Sequence, residues 1–465
     1  MKNFFKYVLV VIACVGCTLL CNMFLSPSIV DISKGDSNGV YDSYIVKYSN
    51  GKTDTITIKN GEDGNDVSVE DLYLATKTAK GYGDEYTILD FINEYMSFSV
   101  EEKDETKAYL GALSTVEVYC EFPTSIDYIT LKKGYGLSMG AGVIYQPVGV
   151  ENDYYILTNY HVVYNSQSLS SGNIATKFTC FLYGSVATVT TNQQSSGGYT
   201  FTYSDDAIDC SYVGGSMEND IAVLKVTNPL LIKNSNAKPV SVCYDDPVVG
   251  ETVVAIGNPQ GLGTSVTKGI VSVDSEYMNM LAGDNSTTIT FRAIRIDASV
   301  NSGNSGGGLF NSKGQLLGIV NSKLQEDGIE GMAFALPAVS SVRIAENIIA
   351  SLGTSAEKPV LGITIALASS KAVYNAVTMN IKIVEEINIS EISASSICYG
   401  KLAVGDIIKS VVINGTTYEI DREYRLKDLL WLVSKNSVIY FNVVRSNNSE
   451  TIPVVISSDC FVTVK

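Results

Sequence analysis

Histidine is nearly absent from this sequence, which has a single one, His161, among 465 residues. A zinc site usually takes several imidazole and thiolate ligands, and no C-x-x-C pair occurs after Cys21. Basic clusters are missing too: the longest is Lys132-Lys133, and the formal net charge is −16. The sequence therefore predicts no metal site, no cofactor and no nucleic-acid partner.

Charge is also absent from residues 7–25, a stretch that follows Lys2 and Lys6. This length just crosses the hydrocarbon core of a membrane, and the preceding positive charge orients the N-terminus inward. We therefore expect residues 1–30 to form a cytoplasmic start and a transmembrane helix. The rest of the chain would then lie on the extracytoplasmic side of the cell membrane. A cleaved signal peptide, or a lipoprotein-type cleavage at residues 11–14 (Val-Ile-Ala-Cys), is the alternative.

Residues 31–100 predict a small α+β module. Two alternating runs, 43–48 and 54–59, flank an Asn-Gly pair that is typical of hairpin turns. Capping patterns at Ser68 and Thr87 then predict two short helices. No side chains in this module indicate chemistry, so we interpret it as a spacer.

A chain of 465 residues is too long for one core, and short strand-like runs recur between turn signals after the spacer. They predict an all-β barrel or sandwich domain over 108–353, closed by an amphipathic helix at 338–352. Cys180 and Cys210 bracket a polar loop of this domain. They would form a disulfide if their strands pair; otherwise they are small buried apolar side chains.

Within the β-rich domain, residues 301–308 read Asn-Ser-Gly-Asn-Ser-Gly-Gly-Gly between two apolar runs. A serine hydroxyl attacks well only when a base takes its proton and hydrogen-bond donors stabilise the oxyanion. Glycines allow backbone angles that let N–H groups converge on one point. The segment therefore predicts Ser305 as a nucleophile, with the N–H groups of Gly303 and Ser305 as the oxyanion hole.

Two further segments supply the partners that such a serine needs. His161 follows an apolar run, and Asp220 precedes the apolar run 221–226. The order His161, Asp220, Ser305 is found in chymotrypsin-type proteases, where base, acid and nucleophile meet only in the fold. An esterase elbow is excluded because the surrounding pattern is not alternating β and α.

These segments, together with Ala-Ile-Gly-Asn-Pro-Gln-Gly-Leu-Gly at 255–263, resemble the HtrA/DegP family of trypsin-like serine proteases. The resemblance covers 115–352 closely and 359–456 more loosely. It implies a mainly β chain with a chymotrypsin-like double β-barrel, followed by a PDZ domain at 358–465. It also implies Ser305 as nucleophile, His161 as general base and then acid, and Asp220 as the group that orients His161. Family members usually assemble as trimers or multiples of trimers.

Specificity can be argued from the residues before the nucleophile. A protease that cuts after Lys or Arg carries an acid six residues before its serine, and here that position is Ser299. Asp297 is expected to face away, and Val300 would narrow the pocket, as its counterpart does in the family. We therefore predict cleavage after small aliphatic residues in unfolded or misfolded proteins.

In the C-terminal region, Leu361-Gly362-Ile363 resembles the loop with which PDZ domains capture peptide C-termini. A helix near 426–434 would form the other wall, with Trp431 in the core. The leading hypothesis is a membrane-anchored endopeptidase acting in extracytoplasmic protein quality control. The alternative is a non-catalytic, chaperone-like or peptide-binding scaffold, which the complete triad disfavours.

Overall fold

The computed structural model describes residues 29–37, 41–48, 53–59, 74, 77, 110–126, 133–194, 198–322, 331–352, 356–375 and 380–464. The chain divides into two compact units, Met1–Lys103 and Asp104–Lys465. The predicted anchor at 7–25, and all but residues 74 and 77 of the two predicted spacer helices, lie outside these ranges. Within them, no helix is long and apolar enough to cross a membrane.

The first unit contains a three-stranded antiparallel sheet in the order β1-β2-β3. The predicted hairpin is confirmed, because β2 pairs with β3 from Tyr41 opposite Lys59 to Lys47 opposite Thr53. The first strand was not predicted, since its aspartates, lysine and glycine interrupt the alternation of apolar residues. The strands are β1 (Ile29–Ser37), β2 (Tyr41–Tyr48) and β3 (Thr53–Lys59).

The second unit begins with a six-stranded barrel in the order β4-β7-β10-β11-β6-β5, closed by pairing of β5 with β4. A hairpin, β8 and β9, extends this sheet from β5. Two short helices, α1 (Tyr160–Val163) and α2 (Leu230–Lys233), follow β6 and β11. The strands are β4 (Thr115–Ile126), β5 (Lys133–Tyr145), β6 (Tyr155–Thr158), β7 (Lys177–Leu182), β8 (Val189–Gln193), β9 (Tyr199–Tyr203), β10 (Ile208–Ser216) and β11 (Ile221–Val226).

The strands that carry Cys180 and Cys210 do pair with each other. Both side chains are buried free thiols, with their sulfur atoms 3.5 Å apart. In this structure they therefore act as small apolar side chains of the first barrel, beside Cys120.

A second closed barrel follows, in the order β12-β13-β14-β17-β16-β15. The closing helix predicted from periodicity is present as α3 (Ala338–Ala350), whose buried residues include Val342, Ala345 and Ile348. Two six-stranded barrels in succession form a chymotrypsin-like protease fold. The strands are β12 (Thr252–Gly257), β13 (Ser265–Leu281), β14 (Thr288–Ile296), β15 (Gly308–Asn311), β16 (Leu316–Asn321) and β17 (Ala333–Pro337).

Residues 356–464 are called the C-terminal module below, and their described part contains one α-helix and two sheets. One sheet has the order β19-β20-β21-β23-β24, with β22 paired to β21; the other pairs β18 with β25. The helix, α4 (Glu423–Leu429), begins and ends earlier than predicted, and a 3₁₀ turn at Leu430–Leu432 follows it. The strands are β18 (Ala356–Pro359), β19 (Ile363–Asn375), β20 (Asn380–Ile392), β21 (Ile407–Ile413), β22 (Thr416–Glu419), β23 (Ser437–Arg445), β24 (Asn448–Ile456) and β25 (Phe461–Val464).

Ion pairs join α4 to the second barrel. Arg292 donates to Asp428 at 2.5 Å, and Arg422 pairs with Asp274. Trp431 is buried and packs against α3 and β18, so it is a core residue, as expected. The C-terminal module is therefore docked on the barrels by charge and by apolar contact.

Candidate active site between the two barrels

Strand pairing brings His161 and Asp220 to the same edge of the first barrel. Strands β6 and β11 are antiparallel, with Thr158 opposite Ala222, so the end of β6 lies beside the start of β11. The helix α1, which carries His161, follows β6 after one residue, and Asp220 directly precedes β11. Both strands are almost entirely buried, which fixes their register and therefore the two polar side chains beyond them.

The three residues predicted from sequence converge on one another. The Nδ1 atom of His161 lies 2.8 Å from an Asp220 carboxylate oxygen, and its Nε2 atom lies 2.9 Å from the Ser305 hydroxyl. The Ser305 and Asp220 residues are 3% and 1% exposed, so water scarcely competes for these bonds. This is the geometry that a serine, a base and an orienting acid require.

The Asp220 carboxylate is held only by neutral donors among the described residues. One oxygen accepts the His161 backbone N–H at 2.9 Å, and the other accepts the Asn321 amide at 2.8 Å beside the imidazole. The Asn159 amide also donates to the Asp220 carbonyl, at 3.0 Å. Because no cation among the described residues contacts it, the carboxylate has no ion pair that competes with the imidazole.

Ser305 lies in the loop before β15, so it belongs to the second barrel but contacts the first. Its carbonyl accepts the Ala141 N–H of β5 at 2.8 Å. The next residue, Gly306, has φ +87, and a Cβ there would stand 2.1 Å from the Ala141 carbonyl oxygen. Only glycine permits this close approach, which explains the residue that follows the nucleophile in the motif.

The predicted oxyanion-hole donors are the backbone N–H groups of Gly303 and Ser305. Neither the Gly303 nor the Ser305 backbone N–H has an acceptor among the described residues. The Ser302 carbonyl accepts the Gln260 N–H at 2.7 Å. Because the peptide unit is planar and trans, fixing that carbonyl also fixes the Gly303 N–H in the opposite direction. Gly303 itself has φ +100 and lies against the Asn258 carbonyl, which excludes a side chain there.

Comparisons with known proteins cover the part of the chain that carries these residues. The model of the family described as "Trypsin-like peptidase domain" matches residues 140–319. The chain carries an HtrA-like serine peptidase domain. The resemblance to the HtrA/DegP proteases inferred from the sequence motifs is thereby confirmed.

Individual relatives of the HtrA-like chain are named as serine proteases. "Serine protease HtrA-like" of Staphylococcus haemolyticus (strain JCSC1435) is 30% identical over 55% of this chain and 37% of the relative. "Serine protease Do-like HtrA" of Lactococcus lactis subsp. lactis (strain IL1403) is 29% identical over 69% and 71%. The chain thus spans from about a third to just over two thirds of the length of these two curated relatives.

A solved structure, "HtrA-type protease AlgW with decapeptide", aligns with 76% of this chain and 98% of its own length. The sequence identity is 22% and the TM-score is 0.45.

The residues predicted to line the specificity pocket of the HtrA-like domain differ in exposure. Val300 is 3% exposed, whereas Ser299 is exposed and its carbonyl accepts the Thr267 hydroxyl at 2.8 Å. The Asp297 carboxylate accepts the Ile270 N–H of β13 at 2.6 Å. This acid is thus already engaged by the strand. A cleft of about 260 Å³ is lined by His161 but by neither Val300 nor Ser299.

In the C-terminal module, the predicted peptide-binding loop lies directly before β19. Leu361 is buried in the core of the module, and its carbonyl accepts the Ser396 hydroxyl at 2.6 Å. Gly362 has φ +67. The backbone N–H groups of Leu361 and Gly362 have no acceptor among the described residues.

Three residues at the site were not predicted from the sequence. Asn321 binds Asp220, Ser322 contacts Ser305, and the Gln260 N–H binds the Ser302 carbonyl. Asn321 could have been noticed, because it is a polar residue at the end of the apolar run of β16. The other two carry no signal, since their contacts arise only when the two barrels are folded.

Proposed function

We propose that this protein is an HtrA-type serine endopeptidase that hydrolyses peptide bonds of unfolded or damaged proteins. The observation that supports it most directly is the unbroken hydrogen-bond chain from Asp220 through His161 to Ser305, with distances of 2.8 and 2.9 Å. A single histidine in the whole sequence at the centre of that chain makes coincidence a poor explanation.

In the proposed acylation step, the Ser305 oxygen attacks the carbonyl carbon of the scissile bond while its proton passes to Nε2 of His161. The carbonyl oxygen becomes an oxyanion, which the N–H groups of Gly303 and Ser305 would bind. The ionised Asp220 stabilises the imidazolium. His161 then gives the proton to the leaving amine, and the C–N bond breaks to leave an acyl-enzyme.

Deacylation would run through the same groups. Water loses a proton to His161 as it attacks the acyl carbon, and the Ser305 oxygen recovers that proton when the ester bond breaks. The proposed acylation and deacylation steps use no metal or cofactor. The peptide is thereby cleaved with the addition of one water molecule.

We further propose that the residue before the cut is small and aliphatic. Buried Val300 narrows the predicted pocket, and the nearest acid, Asp297, is bound to the backbone of β13. Peptides with Val or Ala at this position should therefore be cut fastest. Comparable rates for peptides with Lys or Arg there would contradict this proposal.

The decisive experiment for peptidase activity compares casein digestion by residues 31–465, without the proposed anchor, and by the Ser305→Ala variant of the same protein. The wild type should degrade casein, and the variant should lose the activity by several orders of magnitude. Ser211→Ala, on the exposed face of β10, is the matched control and should digest casein at the wild-type rate. Equal digestion by wild type and Ser305→Ala would leave the non-catalytic scaffold as the explanation.

The C-terminal module is proposed to be a PDZ-like domain that binds peptide C-termini. The free N–H groups of Leu361 and Gly362, with Ile363 beginning β19, would receive the terminal carboxylate beside an added peptide strand. A fluorescent peptide library with free C-termini should bind the Ser305→Ala chain, and amidated copies should not. Equal binding of amidated peptides would exclude carboxylate capture.

We propose that residues 7–25 anchor the chain, which places the peptidase domain outside the cytoplasmic membrane, and that the subunits form trimers or multiples of trimers. The uncharged stretch after Lys2 and Lys6 supports the anchor. Protease added to intact cells should digest the domain. Light scattering of residues 31–465 should give three times the monomer mass or a multiple of that value. A domain protected in intact cells, or a monomer in solution, would contradict the respective proposal.

A further inference from the structure

Ser322, the residue directly after β16, contacts the reacting oxygen of the site twice. Its backbone N–H donates to the Ser305 hydroxyl oxygen at 3.1 Å. Its own hydroxyl oxygen lies 2.6 Å from the same atom. With the imidazole nitrogen of His161 at 2.9 Å, three polar groups surround one oxygen.

The direction of each hydrogen bond follows from Asp220. Its carboxylate can only accept, so Nδ1 of His161 carries the imidazole proton and Nε2 is an acceptor. The Ser305 hydroxyl therefore donates its single proton to Nε2. Having no second proton, it must accept from the Ser322 hydroxyl as well as from the Ser322 N–H.

A hydroxyl oxygen has two lone pairs, and in this arrangement Ser322 occupies both. Attack on a carbonyl carbon needs one of these lone pairs, directed at the carbon. We propose that Ser322 holds Ser305 in a resting state, and that a substrate must displace its hydroxyl before acylation can begin. This inference rests on the proposed peptidase function and adds a residue that touches the reacting atom.

Removal of the Ser322 hydroxyl should make Ser305 more reactive, not less. Ser322→Ala frees one lone pair and leaves the backbone N–H in place. One net hydrogen bond is lost from the resting state, so acylation should speed up by about three- to tenfold. A residue that merely supported the fold would slow the reaction when truncated.

The test is the second-order rate at which a small fluorophosphonate labels Ser305 in the full chain. In this reaction the Ser305 oxygen forms a bond to phosphorus, its proton passes to His161, and fluoride leaves as the P–F bond breaks. Because the probe is small and needs no peptide subsite, the rate reports the reactivity of the hydroxyl. Ser305→Ala gives the background, and Ser211→Ala is the surface control.

Faster labelling of Ser322→Ala than of wild type, with Ser322→Thr close to wild type, is the expected result. If Ser322→Ala does not fold, the isosteric pair Ser322→Thr and Ser322→Val gives the same comparison, with the valine variant labelled faster. Equal or slower labelling of the folded hydroxyl-free variants would overturn the role of Ser322, while wild-type labelling would keep the peptidase proposal intact. Absence of labelling in every protein would instead remove the peptidase proposal, and this inference with it.

Discussion

Two buried aspartates of this chain, Asp220 and Asp406, are equally hidden from water but differently held. Each is 1% exposed. Asp220, at the site, accepts hydrogen bonds from the backbone and ring of His161 and from the Asn321 amide. Asp406, in the C-terminal module, accepts two bonds of 2.7 Å from the guanidinium of Arg445.

The difference separates a carboxylate that can support chemistry from one that supports structure. Paired with a guanidinium, Asp406 is neutralised in place and has no charge to offer a third group. Asp220 is stabilised by dipoles instead, so its charge can favour a proton on His161 during the reaction. Among the described residues no cation contacts Asp220, so its interaction with His161 has no competing ion pair.

The largest difference between the two aspartates is expected when the charge of Asp220 alone is removed. Asp220→Asn keeps the size of the side chain but favours the wrong imidazole tautomer, so kcat should fall by roughly 10⁴-fold. Hydrolysis of a peptide with valine before the cut measures it. Asp153→Asn, in an exposed ion pair with Lys225, is the matched control and should leave kcat unchanged. A loss below tenfold for Asp220→Asn would contradict the assigned role.

The corresponding change in the C-terminal module should act on stability and spare catalysis. Arg445→Met leaves the Asp406 carboxylate buried without its cation, which should lower the free energy of unfolding by roughly 1.5–3 kcal/mol. The only tryptophan, Trp431, lies in this module, so its fluorescence in urea reports the transition. An unchanged transition would show that Asp406 does not depend on Arg445.

A smaller effect is expected when the Asn321 amide, a neutral donor to Asp220, is removed. Asn321→Ala removes the 2.8 Å bond to Asp220 but keeps the charge, so kcat should fall by about tenfold. Asn321→Ser, whose hydroxyl can donate, should recover part of the rate. A wild-type rate for the alanine variant would mean that the two donors from His161 suffice.

The smallest effect is a pH dependence in the module. Burial alone would raise the pKa of Asp406, but the bonds from Arg445 and Ala403 outweigh it and hold that pKa below its usual range. Its contribution to stability is therefore complete above the unfolded pKa, near 3.9, and is lost as pH falls through the folded pKa. The stability difference between wild type and Asp406→Asn should accordingly shrink in acid. A stability difference that grows in acid would contradict a lowered pKa for Asp406.

Sequence reasoning found three residues that meet in the fold because the backbone constrains each of them. Ser305 lies between the constrained glycines Gly303 and Gly306. His161 and Asp220 stand beside the ends of apolar strands, so the sequence pattern indicates all three residues. The closing helix and the strand-rich pattern of the peptidase domain were equally legible. Their apolar periodicity is a local property of the chain.

Contacts between distant segments were not predictable in the same way. The ion pair of Arg292 with Asp428 joins residues that are ordinary surface charges when read along the chain. Strand β25 also escaped prediction, since its pairing with β18 depends on the folded module. Ser322 carries no motif, and its meaning comes from the 2.6 Å that separates its hydroxyl from that of Ser305.

The pairing of β18 with β25 gives the C-terminal module a particular mechanical character. Ala356 stands opposite Val464, and Pro359 stands opposite Phe461, so the first and last strands of the module lie side by side. The module is thus closed by pairing between its first and last strands, in addition to its ion pairs and apolar contacts with the barrels. Removal of β25 would therefore leave β18 without its partner strand, while the ion pairs with the second barrel would remain.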